Sequence, residues 1–99
     1  MSSSRRRSYV DIIAEILFVA QDGARITNIV YKTNLNFQRA AKYLEILIKN
    51  GFISASFASS STSKLVYRTT EKGMEFLSRY KKLQEMLSEL SLGGEGSPP

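Results

Sequence analysis

The sequence predicts an α+β fold that is mainly α: three short helices, a two-stranded hairpin and one long C-terminal helix. Three observations predict it. Apolar residues recur at helical spacing in three separate runs between Val10 and Ile48. Two runs of strand formers, Phe52–Phe57 and Lys64–Thr69, flank a small polar segment. No glycine or proline interrupts the chain between Gly73 and Gly93. A length of 99 residues, 42% of them hydrophobic, is one domain's worth of globular chain with a small core.

Residues 1–7, MSSSRRR, have no apolar periodicity and are expected to form a flexible basic arm. Ser8 is a good N-cap, with Asp11 three residues on, and opens a first helix over about residues 9–22. Its inward stripe is Val10, Ile12, Ile13, Ile16, Leu17 and Ala20, and Gly23 stops it. Arg25 and Ile26 form a short extended link. Thr27 is expected to cap a second helix that ends by Thr33, with Ile29, Val30 and Tyr31 inward. Asn34-Leu35-Asn36 is a turn, and Asn36 caps a third helix running to about Asn50. The expected inward positions there are Phe37, Ala40, Ala41, Leu44, Leu47 and Ile48, with Gly51 as the stop. The two strands follow, joined through Ala58–Ser63. Thr70 caps a fourth helix, and Gly73 falls in its first turn, where glycine is expected only to weaken the helix. The segment GGEGSPP near the C-terminus is expected to be disordered.

Two short helices joined by a tight turn and followed by a hairpin make a helix-turn-helix with a wing. The expected fold is therefore a winged helix-turn-helix with a long C-terminal helix. Its parts are a flexible basic arm over 1–7, the winged body over 8–69, a dimerisation helix over 70–91 and a disordered tail over 92–99.

Composition excludes whole classes of function. There is no cysteine and no histidine, so disulfides, zinc-thiolate sites, Cys-His nucleophiles and Ser-His-Asp triads are impossible. Asp11 with Glu15, and Glu85 with Glu89, lie one turn apart but read as solvated helix faces. No glycine loop cradles a phosphate. The expectations are no enzyme activity, no catalytic residue, no cofactor, no metal site and no small-molecule substrate. No apolar run reaches the length of about 18 residues that spans a bilayer, and Asp11 and Glu15 break the best stretch, so no membrane association is expected.

The net charge of +5 is unevenly distributed. Residues 1–70 carry ten Lys/Arg against four Asp/Glu, whereas residues 71–99 carry four against five. A basic front suggests an anionic partner there. The third helix holds the strongest functional signal, because its outward positions include Asn36, Gln38, Arg39, Lys42, Tyr43, Glu45 and Lys49. Asn and Gln pair two hydrogen bonds with adenine, and Arg or Lys with guanine. The first turns of a recognition helix reach base edges, and Asn36, Gln38, Arg39 and Lys42 lie in those turns. Arg5, Arg6 and Arg7 are candidates for a minor groove or flanking phosphates. On the wing, Ser60, Ser61 and Lys64 offer hydroxyls, amides and a cation to phosphate oxygens.

In the fourth helix Phe76, Tyr80, Leu83, Leu87 and Leu90 recur at steps of four, three, four and three, with Leu77 and Met86 widening the stripe. That is a heptad seam, and a helix of roughly 33 Å overruns a body this small, so its free end is expected to pair with a second copy.

The stretch Lys42-Tyr43-Leu44-Glu45-Ile46-Leu47-Ile48-Lys49-Asn50-Gly51-Phe52-Ile53 resembles the end of a winged-helix recognition helix running into the first wing strand. Tyr67-Arg68-Thr69-Thr70-Glu71-Lys72-Gly73 resembles the second wing strand entering the last helix. With the first helix, the likeness covers about residues 8–90 and is to small archaeal winged-helix DNA-binding proteins that dimerise through a C-terminal coiled-coil helix. It implies a homodimer, a double-stranded DNA ligand, no enzymatic activity, base contacts from Asn36, Gln38, Arg39 and Lys42, and wing contacts near Lys64. The wing tip departs from the pattern, lacking the glycines and extra basic residues of many wings. A transcriptional regulator in the cytoplasm, associated with the nucleoid, is the expected function. An architectural chromatin protein of weak sequence preference and a winged-helix protein-interaction module are the alternatives.

Overall fold

The computed structural model describes residues 7–58 and 64–90. Its elements follow the expected order: α1 (Tyr9–Val19), α2 (Ile26–Thr33), α3 (Phe37–Lys49), β1 (Ile53–Phe57), β2 (Leu65–Thr69) and α4 (Glu71–Glu89). Arg5, Arg6, Ser60, Ser61 and the C-terminal tail lie outside the described residues.

Ser8 and Asp11 close a reciprocal capping box at the start of α1. The Asp11 amide donates to Ser8 Oγ at 3.2 Å, and the Ser8 amide donates to Asp11 Oδ2 at 3.0 Å. The buried stripe is Ile12, Ala14, Ile16 and Leu17. Val10, expected inward, is exposed. It shares a side with Ala14 and Leu17 but stands in the first turn, where residues 7–10 are all exposed.

The helix α2 starts earlier than a Thr27 cap would allow. Ala24 exchanges two backbone hydrogen bonds with Tyr67, at 2.9 and 2.8 Å, and this bridge to β2 sets the extended approach to Ile26. Arg25 takes the N-cap position without a side-chain cap bond. Tyr31 is also corrected: it is 83% exposed, two positions past the fully buried Ile29. Thr33 takes an inward position instead, with its hydroxyl donating to the Ile29 carbonyl at 2.7 Å.

Asn34 adopts the left-handed conformation (φ 59°) that turns the chain from α2 into α3. Asn36 Oδ1 accepts from the Arg39 amide at 2.8 Å, the expected cap of α3. The buried line of α3 is Ala40, Leu44 and Leu47, with Tyr43 half-buried against the core. Phe37, Ala41 and Ile48, expected inward, are exposed. These three share one flank, on which Ala41 and Ile48 line a surface groove with Tyr67 of β2.

The antiparallel hairpin pairs Ile53 with Thr69 at its base and Phe57 with Leu65 towards its tip. Only the base, Ile53 and Thr69, is buried. One core cluster joins Ile12, Ile16 and Leu17 of α1 to Ile29, Leu35, Ala40, Leu44, Leu47 and Ile53.

The start of α4 is locked to this core. Thr70 Oγ1 accepts from the Gly73 amide at 3.1 Å and donates to the Gly51 carbonyl at 2.7 Å. Phe76 meets Phe52 edge to face, with centroids 5.9 Å apart. Lys72 Nζ stands 4.7 Å over the Phe52 ring and donates to the Asn50 carbonyl. A turn and more further on, Tyr80 Oη donates to Asp11 Oδ1 of α1. Every described residue beyond Tyr80 is exposed.

Gly73 does more than weaken the helix. A Cβ there would lie 2.4 Å from the Phe52 carbonyl oxygen and 2.5 Å from Thr69 Cγ2. Gly73→Ala should therefore destabilise the chain by about 1–3 kcal/mol through overpacking, outweighing the gain of up to about 1 kcal/mol in helix propensity. Urea unfolding checks the sign: a midpoint that rises would remove the close-approach argument.

The Tyr80–Asp11 bond shifts both groups. Hydrogen bonding to Asp11, with some burial, pushes the Tyr80 hydroxyl up to about 12. Donation from Tyr80, then from Ser8, holds the Asp11 carboxyl below its ordinary 3.8. A raised value means that the Tyr80 contribution is complete below its ordinary 10.0 and is lost as pH climbs through about 12. The Asp11 contribution is present above 3.8 and is lost as pH falls through its lowered value. Between pH 10 and 12 the wild type should lose stability more steeply than Tyr80→Phe. Chemical unfolding at a series of alkaline pH values gives the two slopes, and equal slopes would contradict the linkage.

Candidate nucleic-acid interface

The helix α3 projects one polar ridge away from the core. Gln38, Lys42, Glu45 and Lys49 recur at steps of four, three and four, and all are exposed. Residues so spaced share a face, here the one opposite Ala40, Leu44 and Leu47. The ridge offers one amide that both donates and accepts, two flexible cations and one carboxylate. Among the described residues none of these four is engaged in a salt bridge.

The other predicted residues of this helix divide by geometry. Arg39 is exposed but lies on the flank towards α1, where it lines a groove with Tyr9 and Ile46. Tyr43 lines the same groove and is half-buried, so its ring is part of the body rather than of the ridge. Asn36 is exposed, but its Oδ1 is committed to the Arg39 amide. A bidentate contact with adenine needs both the oxygen and the nitrogen of the amide. Asn36 makes that contact only by releasing its cap, a loss of about 0.5–2 kcal/mol.

Arg7 is drawn back onto the body. Its Nη1 pairs with Glu15 and donates to the Thr33 carbonyl at 2.8 Å. This cation therefore braces the end of α2, just before the turn into α3. Arg5, Arg6, Ser60 and Ser61 lie outside the described residues. Lys64 is exposed where the chain re-enters the wing, its carbonyl accepting from the Ala58 amide at 2.8 Å. Beside it, Phe57 is 58% exposed.

The seam of α4 splits at Tyr80. Phe76 and Leu77 pack against the chain's own core, and Tyr80 is half-buried with its hydroxyl on Asp11. Leu83, Met86, Leu87 and Leu90 are exposed, at 50%, 51%, 44% and 62%. Among the described residues no cluster of acidic side chains has the makings of a metal site, and no helix is long and apolar enough to cross a membrane.

Comparison with known proteins agrees with the fold. The winged helix-turn-helix family model matches residues 6–88. The uncharacterized protein MJ0287 of Methanocaldococcus jannaschii is 33% identical over 84 residues, covering 84% of this chain and 79% of that protein. The crystal structure of Sso10a-2, a DNA-binding protein from Sulfolobus solfataricus, superposes with a TM-score of 0.75 at 25% identity, covering 90% of each chain. ZitR of Lactococcus lactis gives a TM-score of 0.68 at 17% identity, over 90% of this chain and 70% of its own, a likeness of fold.

Proposed function

The chain belongs to the winged helix-turn-helix family, and from that premise we propose that it binds double-stranded DNA as a homodimer and acts as a transcriptional regulator in the cytoplasm. The observation that carries the reading is the exposed ridge of Gln38, Lys42, Glu45 and Lys49 on α3. An α-helix fits the major groove, and each ridge side chain has a base-edge or phosphate counterpart there. Gln38 matches adenine, Glu45 accepts from cytosine, and Lys42 and Lys49 reach guanine or phosphate oxygens. Arg39, on the flank, is suited to the neighbouring phosphates, and Lys64 to the backbone beneath the wing. Sso10a-2, a DNA-binding protein by its description, supports the choice of ligand.

The dimer rests on the free half of α4. Leu83, Leu87 and Leu90 continue the heptad spacing beyond the body, and they stay wet in a single copy. Two such stripes bury one another, and a two-fold pair then presents two α3 ridges to one duplex.

A second reading has its own support. Both cations of the ridge are lysines, which act as point charges rather than as bidentate forks. That composition suits an architectural chromatin protein with weak sequence preference.

Affinity for a selected duplex and a scrambled one, at one salt concentration, separates these readings. Gln38→Ala should narrow the gap between the two duplexes by about 1–3 kcal/mol, while Lys49→Ala should weaken both about equally. No gap in the wild type favours the architectural reading, and binding to neither duplex favours a protein-interaction module. Leu83→Lys sets a charge into the seam, so sedimentation should change from dimer to monomer while the far-ultraviolet spectrum is retained. A wild type that is monomeric at tens of micromolar, as an order of magnitude for such a short seam, would sink the dimer.

A further inference from the structure

The helix α3 carries an apolar stripe beside its polar ridge. Phe37 is 54% exposed and Ile48 38%. Ala41, one turn after Phe37, is exposed as well. We propose that Phe37 and Ala41 read thymine methyl groups in the major groove, so that the duplex this chain prefers carries A·T pairs under the start of α3. The inference rests on the DNA reading above and names the base pair that the site would select.

The start of α3 is fixed by other residues. Asn36 caps it, and Leu35 and Ala40, on either side of the first turn, are buried in the core. At about 100° per residue, Phe37, Ile48 and Ala41 lie within about 40° of one another around the helix. Gln38 and Glu45 come next, on the ridge side. Ala41 stands three residues after Gln38 and four after Phe37, so it neighbours both. The first turns of a helix in the major groove reach base edges, and Phe37, Gln38 and Ala41 lie in those turns. Ile48 is about 15 Å further along the axis than Gln38, beyond that reach. Thymine alone among the four bases presents a methyl group in this groove, and alanine and phenylalanine are side chains that meet it. An amide paired with adenine has the methyl of the partner thymine to one side of it on the same groove floor. Gln38 on the adenine and the stripe on the methyl thus read two halves of A·T pairs. A protein partner is a poor occupant. The strip of Phe37, Ala41 and Ile48 is far too small for the roughly 800 Å² per side of a stable protein interface, and Lys42 and Lys49 beyond Gln38 and Glu45 suit a polyanion.

Replacing thymine by deoxyuridine removes the methyl group and keeps the base pair. The full chain is titrated, at one salt concentration, with a selected duplex and with the same duplex carrying deoxyuridine at each thymine in turn. The wild type should lose affinity about fourfold at one or two positions, the worth of a methyl group withdrawn from water, and nothing at the others. Phe37→Ala and Ala41→Asn, both at exposed positions, should bind the thymine and uracil duplexes alike, and either variant serves if the other does not fold. Ile48→Ala should keep the wild-type preference. A merely structural role would weaken both duplexes and leave their ratio unchanged, so the ratio is the readout. Equal binding of the two duplexes by the wild type overturns the inference and leaves the DNA reading standing. A preference that persists in both variants also overturns it, because the methyl group then acts through another residue or through the shape of the duplex. Selection that yields no A·T pairs does the same, as does a Phe37→Ala chain that sediments as a monomer where the wild type is a dimer, which gives the stripe to a second copy. A chain that binds no duplex overturns the DNA reading and this inference with it.

Discussion

The fold depends on one close approach, where the bare Cα of Gly73 passes the Phe52 carbonyl and the Thr69 side chain. Four stretches of chain meet there. The Thr69 amide donates to the Ala20 carbonyl at 2.9 Å and its hydroxyl to the Leu17 carbonyl at 2.6 Å, which ties the base of the wing to the end of α1. The Thr70 amide donates to the Phe52 carbonyl at 3.0 Å and its hydroxyl to Gly51, which ties α4 to the end of α3. Buried polar groups are tolerated only when paired, as the Thr69 hydroxyl is on Leu17, and the Thr70 pairs form only if α4 starts beside Phe52. A side chain at Gly73 would push α4 outwards and stretch these bonds together. The orientation of the wing, the end of α3 and the course of α4 are thus one constraint.

The helix α3 separates the tasks of holding and reaching. Its amide-capping residue, Asn36, and its inward Ala40, Leu44 and Leu47 fix where the helix lies. The residues that extend from it, Gln38, Lys42, Glu45 and Lys49, are long and exposed. The ridge can therefore change its chemistry without cost to the body, and a shared fold leaves the preferred ligand open.

Element order, both Ser8 and Asn36 caps, the hairpin and the length of α4 were legible because each is a local matter: spacing, a capping side chain, or the lack of a breaker. What was not legible depends on neighbours distant in sequence. Apolar spacing says that α3 is amphipathic, but Phe37, Ala41 and Ile48 fit an inward stripe as well as Tyr43 does; only the placement of α1 and the two-stranded sheet decides between them. Thr27 lost its cap to a backbone bridge between Ala24 and Tyr67, 43 residues apart in the chain. Gly73 looked like a weakness because its neighbours, Phe52 and Leu17, belong to other elements. Arg7 sits in a run of three arginines that are identical by composition. Its separate role comes from Glu15 and the Thr33 carbonyl, which no charge count can find.

The split of α4 at Tyr80 makes the helix a torsional link. Up to Tyr80 its rotation about its own axis is fixed by Phe52, Thr70 and Asp11; beyond, a rigid rod carries that phase outwards to Leu83, Leu87 and Leu90. A residue inserted just after Tyr80 would leave the body intact but swing the outer leucines by about 100° and advance them by about 1.5 Å. Whatever grips that end therefore also sets the azimuth at which the α3 ridge is presented. The angular bearing of the ridge is stored in the number of residues between a tyrosine and a leucine.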